Sequence, residues 1–215
     1  MIVLTEKATV GALGVDTVAT ITQAQALSLA KHGYSFVVRY LGGVTQEEVA
    51  NIFFAELAIM LVGYSRGVGW LPTAALGSYD GASAVAHTKA LQLPPGLTLW
   101  CDLEGMSGTA ADTIEYAEAW GAQVAAAGYV PGVYVGAGIP LDAQQLYALN
   151  NIHAYWHSCS VVPDVGSCSY QMYQLNPPNI VFAKDAGVAA LEVDIDVVQQ
   201  DHSGRLPFWA RPYPR

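Results

Sequence analysis

The sequence predicts a TIM-like α/β barrel, irregular in its last third: five βα units followed by three strands. Three observations point there. Short β-branched runs alternate with longer alanine-rich runs of helical spacing, the pattern of a parallel sheet covered by helices. The strand-like runs number eight, the count that closes a barrel. The length, 215 residues, suits one such barrel better than two domains. A doubly wound open sheet is the competing architecture, but its parallel strands need crossover helices where the last third offers none.

The first strand is read in "GALGVDTV" and the first helix in "TQAQALSLAKHG", closed by Gly33. "SFVVRYL" is the second strand. The helix behind it, "TQEEVANIFFAEL", opens with a capping box from Thr45 to Glu48. "AIMLVGYS" is the third strand, and "GASAVAHTKALQL" the third helix, stopped by Pro94 and Pro95. "LTLWCDLEG" is the fourth strand. "TAADTIEYAEAWGAQVAAAG" is the longest helix, with acids near its start and Gly128 behind it. "PGVYVG" is the fifth strand, followed by "LDAQQLYALN". Then "IHAYWHSC", "YQMYQLN" and "ALEVDIDVVQ" read as three strands joined by loops. The division is a barrel over residues 1–204 and a Pro/Arg-rich arm over 205–215. The arm is expected to pack along the domain, with contact to an anionic surface as the minority reading.

Hydrophobic residues make up 53% of the chain and charged ones 13%, ample for a large core and against disorder. The formal charge of −9 argues against non-specific nucleic-acid binding. No apolar run reaches the roughly 20 residues of a membrane span. "MIVLTEKATVG" lacks the basic start and long apolar stretch of a secretory signal, so cytoplasmic retention or export by other means is expected. Cys159 and Cys168 flank "SVVPDVGS", a spacing that allows a disulfide in an oxidising compartment, whereas Cys101 reads as a buried thiol. None of the five histidines pairs at metal-ligand spacing with another ligand type. No metal site or cofactor is expected, and a monomer is the expected state.

Acids fall where a barrel of this kind does its work, at the C-terminal ends of strands. Asp16 closes the first strand, Asp102 and Glu104 the fourth, and Asp194 and Asp196 sit toward the end of the last. Residues two apart on a strand share a face, about 6.5 Å apart, so Asp102 and Glu104 can address one ligand. Strand-end aspartates also commonly cap a helix or turn, which is the plain alternative for each acid singly. Strands two, three and five end in Tyr40, Tyr64 and Tyr134. Rings beside carboxylates suit a sugar, although amphipathic barrel-rim residues look the same.

Hydrolysis of a glycoside needs one protonated carboxyl for the leaving oxygen and negative charge for an oxocarbenium-like transition state. Two close carboxylates push one pKa upward and keep a proton near neutral pH. The same acids could hold Mg²⁺ for phosphate chemistry with Asp16 as third ligand, and Arg39 is then the one strand residue suited to the phosphate. "GVYVGAG" and "GVGW" lack dinucleotide spacing, and neither Ser65 nor Ser158 sits in a nucleophile elbow.

The ordered set "GVD", D-x-E, "AYW", "YQ" and "VDID" resembles the family-25 lysozymes. The stretch "GVDTVATITQAQALSLAKHGYSFVVRYL" is similar in particular to their relatives, the glycoside-hydrolase-like domains of bacteria and phages. The resemblance runs from about Gly14 to Val198. It implies a muramidase, a cell-wall-lytic enzyme that cuts peptidoglycan after N-acetylmuramic acid. It further implies Glu104 as general acid and Asp102 as the acid that orients the substrate N-acetyl group in a substrate-assisted route. Asp16 and Asp194 would complete the cleft, Gln174 matches a glutamine before the final loop, and Trp156 belongs to the aromatic substrate-binding set. Asp196 stands where lysozymes of the family usually have asparagine. The implied route to the wall is phage-type release, as for an endolysin, or dedicated secretion. A catalytically inactive glycan-binding module on the same barrel is the alternative; a Mg-dependent phosphohydrolase ranks below it.

Overall fold

Strands rich in Val, Ile and Leu on both faces can be stable only if both faces are covered, by packed side chains within and helices without. The computed structural model describes residues 2–63, 66–175, 180–182, 185 and 187–213. In chain order its first elements are β1 (Val3–Lys7), β2 (Leu13–Thr17), α1 (Gln23–Lys31), β3 (Phe36–Tyr40), α2 (Gln46–Phe54) and β4 (Ala58–Val62). Next come α3 (Ala74–Ala90), β5 (Thr98–Leu103), α4 (Ala110–Ala126), β6 (Val130–Val135) and α5 (Ala143–Tyr147). The remainder is strands: β7 (Ala154–His157), β8 (Met172–Gln174), β9 (Ile180–Phe182), β10 (Leu191–Val198) and β11 (Phe208–Pro212).

Strands β2 to β8 pair in sequence order as parallel neighbours, and β10 closes the ring between β8 and β2. This is the eight-stranded barrel that the sequence predicts, with one correction. β10 runs antiparallel to both of its neighbours, setting Asp194 opposite Asp16 and Asp196 opposite Gln174. Asp194 therefore reaches the C-terminal rim of the parallel strands from the first half of its own strand. The expectation had placed both acids toward the end of a parallel strand.

Three further strands lie outside the ring. β1 pairs antiparallel with β11, and β11 touches β4 through Ala210 and Ile59. Residues 208–212 of the C-terminal arm thus belong to the sheet. β9 adds to the upper part of β10.

Helix α3 starts at Ala74 behind the N-cap Thr73, seven residues before the start expected at Gly81. Gly77 and Gly81 look like breakers in sequence, but they form the contact with α4. A Cβ at Gly77 would lie 2.2 Å from the Tyr116 carbonyl oxygen, and one at Gly81 2.7 Å from that of Trp120. The helices approach because these two side chains are absent. Cys159 and Cys168 are free thiols, so the disulfide allowed by spacing is not formed here. Among the described residues no helix is long and apolar enough to cross a membrane.

The capping box at α2 is half made. Thr45 accepts from the Glu48 backbone N–H, but the Glu48 side chain turns inward instead of back to the cap. Its Oε1 accepts from Ile21 N at 2.8 Å and from Arg39 Nε at 2.5 Å, and Arg39 also donates to the Thr17 carbonyl oxygen. Both side chains are fully enclosed between barrel and helices. This buried pair ties β2, β3, α1 and α2 together. It also removes Arg39 from the acid-bearing interior, which corrects its assignment as a phosphate-binding residue.

Breaking a buried pair leaves one charge unmatched. Glu48→Ala is expected to cost about 3–5 kcal/mol in denaturant unfolding. A loss below about 1 kcal/mol would show the pair to be dispensable.

Candidate active site

Alternation along the strands turns Asp16, Tyr40, Asp102, Tyr134, Gln174 and Asp196 toward the upper barrel interior. Gln174 organises them. Its Nε2 donates to Asp16 Oδ2 at 2.9 Å and to Asp194 Oδ2 at 3.0 Å. Its Oε1 accepts from the Tyr134 hydroxyl and from Cys159 N, both at 3.1 Å. Both amide protons and both carbonyl lone pairs are used, so the side chain has one satisfied orientation.

Three of the acids are forced toward the neutral form. Burial, reinforced by Asp194 and Glu104 and opposed by the Gln174 hydrogen bond, pushes Asp16 up to about 7. Burial again, then the charges of Glu104 and Asp16, pushes Asp102 up to about 8. Asp196 is wholly enclosed, and burial together with Asp16 holds it well above the carboxylate range. Its Oδ1 accepts from Trp156 Nε1 at 2.9 Å, and its Oδ2 is buried without a hydrogen-bond partner among the described residues.

Glu104 lies one residue beyond β5 and is exposed. Its Oε1 accepts from Ala137 N at 3.3 Å, in the loop after β6. The approach is close: a Cβ on Gly136 would stand 2.4 Å from the Glu104 Cβ. The predicted carboxylate pair is therefore vertical, with Asp102 below and Glu104 above. The upward push expected of such a pair falls on Asp102. Asp102 Oδ1 is buried without a hydrogen-bond partner among the described residues. On the β2 side, a cleft of about 320 Å³ opens between Asp16, Asp194, Tyr40 and the loop after β2.

Asp16, Asp102, Glu104, Asp194, Tyr40, Tyr134 and Gln174 gather at one end of the barrel. Tyr64, expected with the other tyrosines, lies outside the described residues, as does Ser65. Trp156 needs correction as a substrate-binding residue. It is fully enclosed, its ring 5.8 Å from Trp100 and 4.5 Å from Tyr134, and its N–H is spent on Asp196. It forms the floor beneath the acids. Sequence reading missed Gly136 and Trp70, both dismissed inside short glycine-containing turns. Gly136 sat at the end of a strand beside a strand-end acid, and that juxtaposition was the available signal; for Trp70 there was none.

The chain matches the Rv2525c-like, glycoside hydrolase-like domain over residues 25–190, and it belongs to that family. No curated protein sequence matches it. Among solved structures it is similar to an uncharacterized B. stearothermophilus protein, with TM-score 0.64 and 22% identity over 88% of this chain and 96% of that one. It is similar also to the Clostridium perfringens spore cortex lytic enzyme SleM, with TM-score 0.64 and 14% identity over 94% and 71% of the two chains. A family 25 glycosyl hydrolase from Bacillus anthracis gives TM-score 0.59 and 12% identity over 89% and 90%. At these identities the likeness is one of fold: a glycoside hydrolase-like barrel similar to that of family 25.

Asp16 and Asp102 have folded-state pKa values raised above the 3.8 of a free side chain, so the folded state holds protons that the unfolded chain releases. Their contribution is complete below about pH 4 and is lost as pH rises through about 7 and 8. The melting temperature should fall over that window, and less steeply in Asp102→Asn. Parallel curves for the two proteins would contradict the burial of a protonated Asp102.

Proposed function

We propose that the protein is a peptidoglycan glycoside hydrolase of the muramidase type, with Glu104 as general acid. The observation that carries this reading is the vertical carboxyl pair: an exposed Glu104 above a buried Asp102 with an unpartnered oxygen. A buried polar atom without a partner is costly, and a substrate group that fills the vacancy recovers the cost.

An acetamido N–H delivered to Asp102 Oδ1 is such a group. Glu104 then donates its proton to the glycosidic oxygen while the acetamido carbonyl oxygen attacks the anomeric carbon and the C–O bond breaks. Positive charge develops on the acetamido nitrogen and favours the ionised form of Asp102 beside it. Water opens the cyclic intermediate as Glu104 takes back a proton. Asp16, Asp194 and Gln174 bind sugar hydroxyls along the β2 side of the cleft, and Tyr40 offers a ring to a sugar face. The lytic activity named for SleM and the family 25 assignment of the Bacillus anthracis neighbour support the choice of substrate class. A phosphohydrolase loses its argument with Arg39 enclosed behind the barrel wall.

The test is Glu104→Gln, which keeps the side chain's size and cannot act as an acid. Release of reducing ends from purified peptidoglycan should fall at least 10²-fold, within the range for general acid catalysis, with the melting temperature preserved. Full activity in the variant would overturn the assignment. Binding of the glycan by the wild-type protein without new reducing ends would favour the inactive binding module.

A further inference from the structure

The loop between β4 and α3 is fastened onto the segment that carries Glu104. Trp70 Nε1 donates to the Glu104 carbonyl oxygen at 2.7 Å. Gly69 N donates to the Gly105 carbonyl oxygen at 2.7 Å, and Ser107 N to that of Trp70 at 2.9 Å. Ser107 Oγ adds a bond to the Gly69 carbonyl oxygen at 2.9 Å. Trp70 is itself held on two sides. The Arg66 guanidinium stands 5.5 Å from its ring, and the Tyr116 ring meets it edge-on at 5.0 Å. Both holders converge on Asp80 of α3, which is buried. Arg66 donates to its Oδ2, and the Tyr116 hydroxyl donates to the same oxygen at 2.8 Å.

We infer that Trp70 is a positioning residue for Glu104, locked by the Asp80–Arg66–Tyr116 anchor. The geometry explains an otherwise odd feature. Glu104 lies beyond the last paired residue of β5, where backbone is ordinarily free to move. Opposing loops fix it, the Trp70 loop on one side and Gly136–Ala137 on the other. Trp70 donates to the Glu104 backbone, whereas Ala137 N donates to its carboxylate. The first bond sets the height of the acid and the second its direction. Asp80 and Tyr116 lie on α3 and α4, so the anchor also transmits the close Gly77 and Gly81 helix contact to the site.

This inference rests on Glu104 being the acid of the proposed reaction, so two readouts are needed. Trp70→Phe keeps an aromatic ring for Arg66 and Tyr116 but loses the N–H donor, and Asp80→Asn weakens the anchor from behind. Turnover on soluble peptidoglycan fragments and the ¹³C chemical shift of the Glu104 backbone carbonyl are measured in both variants and the wild type. In both variants kcat should fall about 10–100-fold with KM within about twofold, the mark of misplacement and not lost binding. The Glu104 carbonyl shift, which reads the Trp70 bond directly, should move as well. Wild-type kcat with an unmoved carbonyl shift would overturn the inference. So would a raised KM at unchanged kcat, since Trp70 would then be a sugar platform. If the wild-type protein cleaves nothing, the muramidase reading fails separately. The carbonyl shift then decides alone: movement in Asp80→Asn, which leaves the Trp70 indole in place, supports the positioning role, and no movement overturns it.

Discussion

The upper barrel depends on the Gln174 amide. It ties β8 to β2 and β10 through two aspartates, and to β6 and the loop after β7 through its oxygen. The register sets Asp16 opposite Asp194 across the closing seam, and two carboxyl groups so placed need a donor between them. Gln174 bonds to both carboxyl groups at once, and Asp196 keeps a proton beneath them. The seam that closes the barrel is thus the same place that gathers its acids. Closure and site are one constraint.

Around that seam the chain divides charge by depth. The enclosed acids, Asp16, Asp102 and Asp196, are driven toward neutrality by burial, whereas Glu104 is placed in reach of water at the rim. The aromatic floor of Trp100, Tyr134 and Trp156 keeps water from the lower layer and supplies one N–H where an acid needs it. Outside the barrel, Arg39 and Glu48 satisfy each other within the helix layer. The two buried polar systems sit on opposite sides of the same strand wall and do not compete.

Much of this was legible in the sequence, for reasons that can be named. β-branched runs interrupted by capped alanine-rich helices carry the barrel rhythm on their face, and strand-end acids mark the rim. Strand direction is different, because alternation reads the same in both senses. The missing helix before "ALEVDIDVVQ" was the available hint that β10 reverses, yet β7 and β8 are parallel with no helix between them, so the hint was not decisive. Helix α3 was expected only from Gly81 because propensity describes an isolated helix, while Gly77 and Gly81 sit inside it to admit α4. Arg39 was misread because sequence shows a charge on a strand but not which face carries it. Trp156 suited a sugar platform in composition and became a floor in three dimensions. The last residues were read as an arm outside the barrel, and only tertiary pairing joins β1 to β11.

The proposed reading makes a specific chemical claim: that the carboxyl pair cleaves next to an N-acetylated sugar. Mass spectrometry of the ends released when the protein is incubated with purified peptidoglycan addresses it most directly. The account predicts new reducing ends on N-acetylmuramic acid. Release of N-acetylglucosamine ends, or intact strands after prolonged incubation, would contradict it.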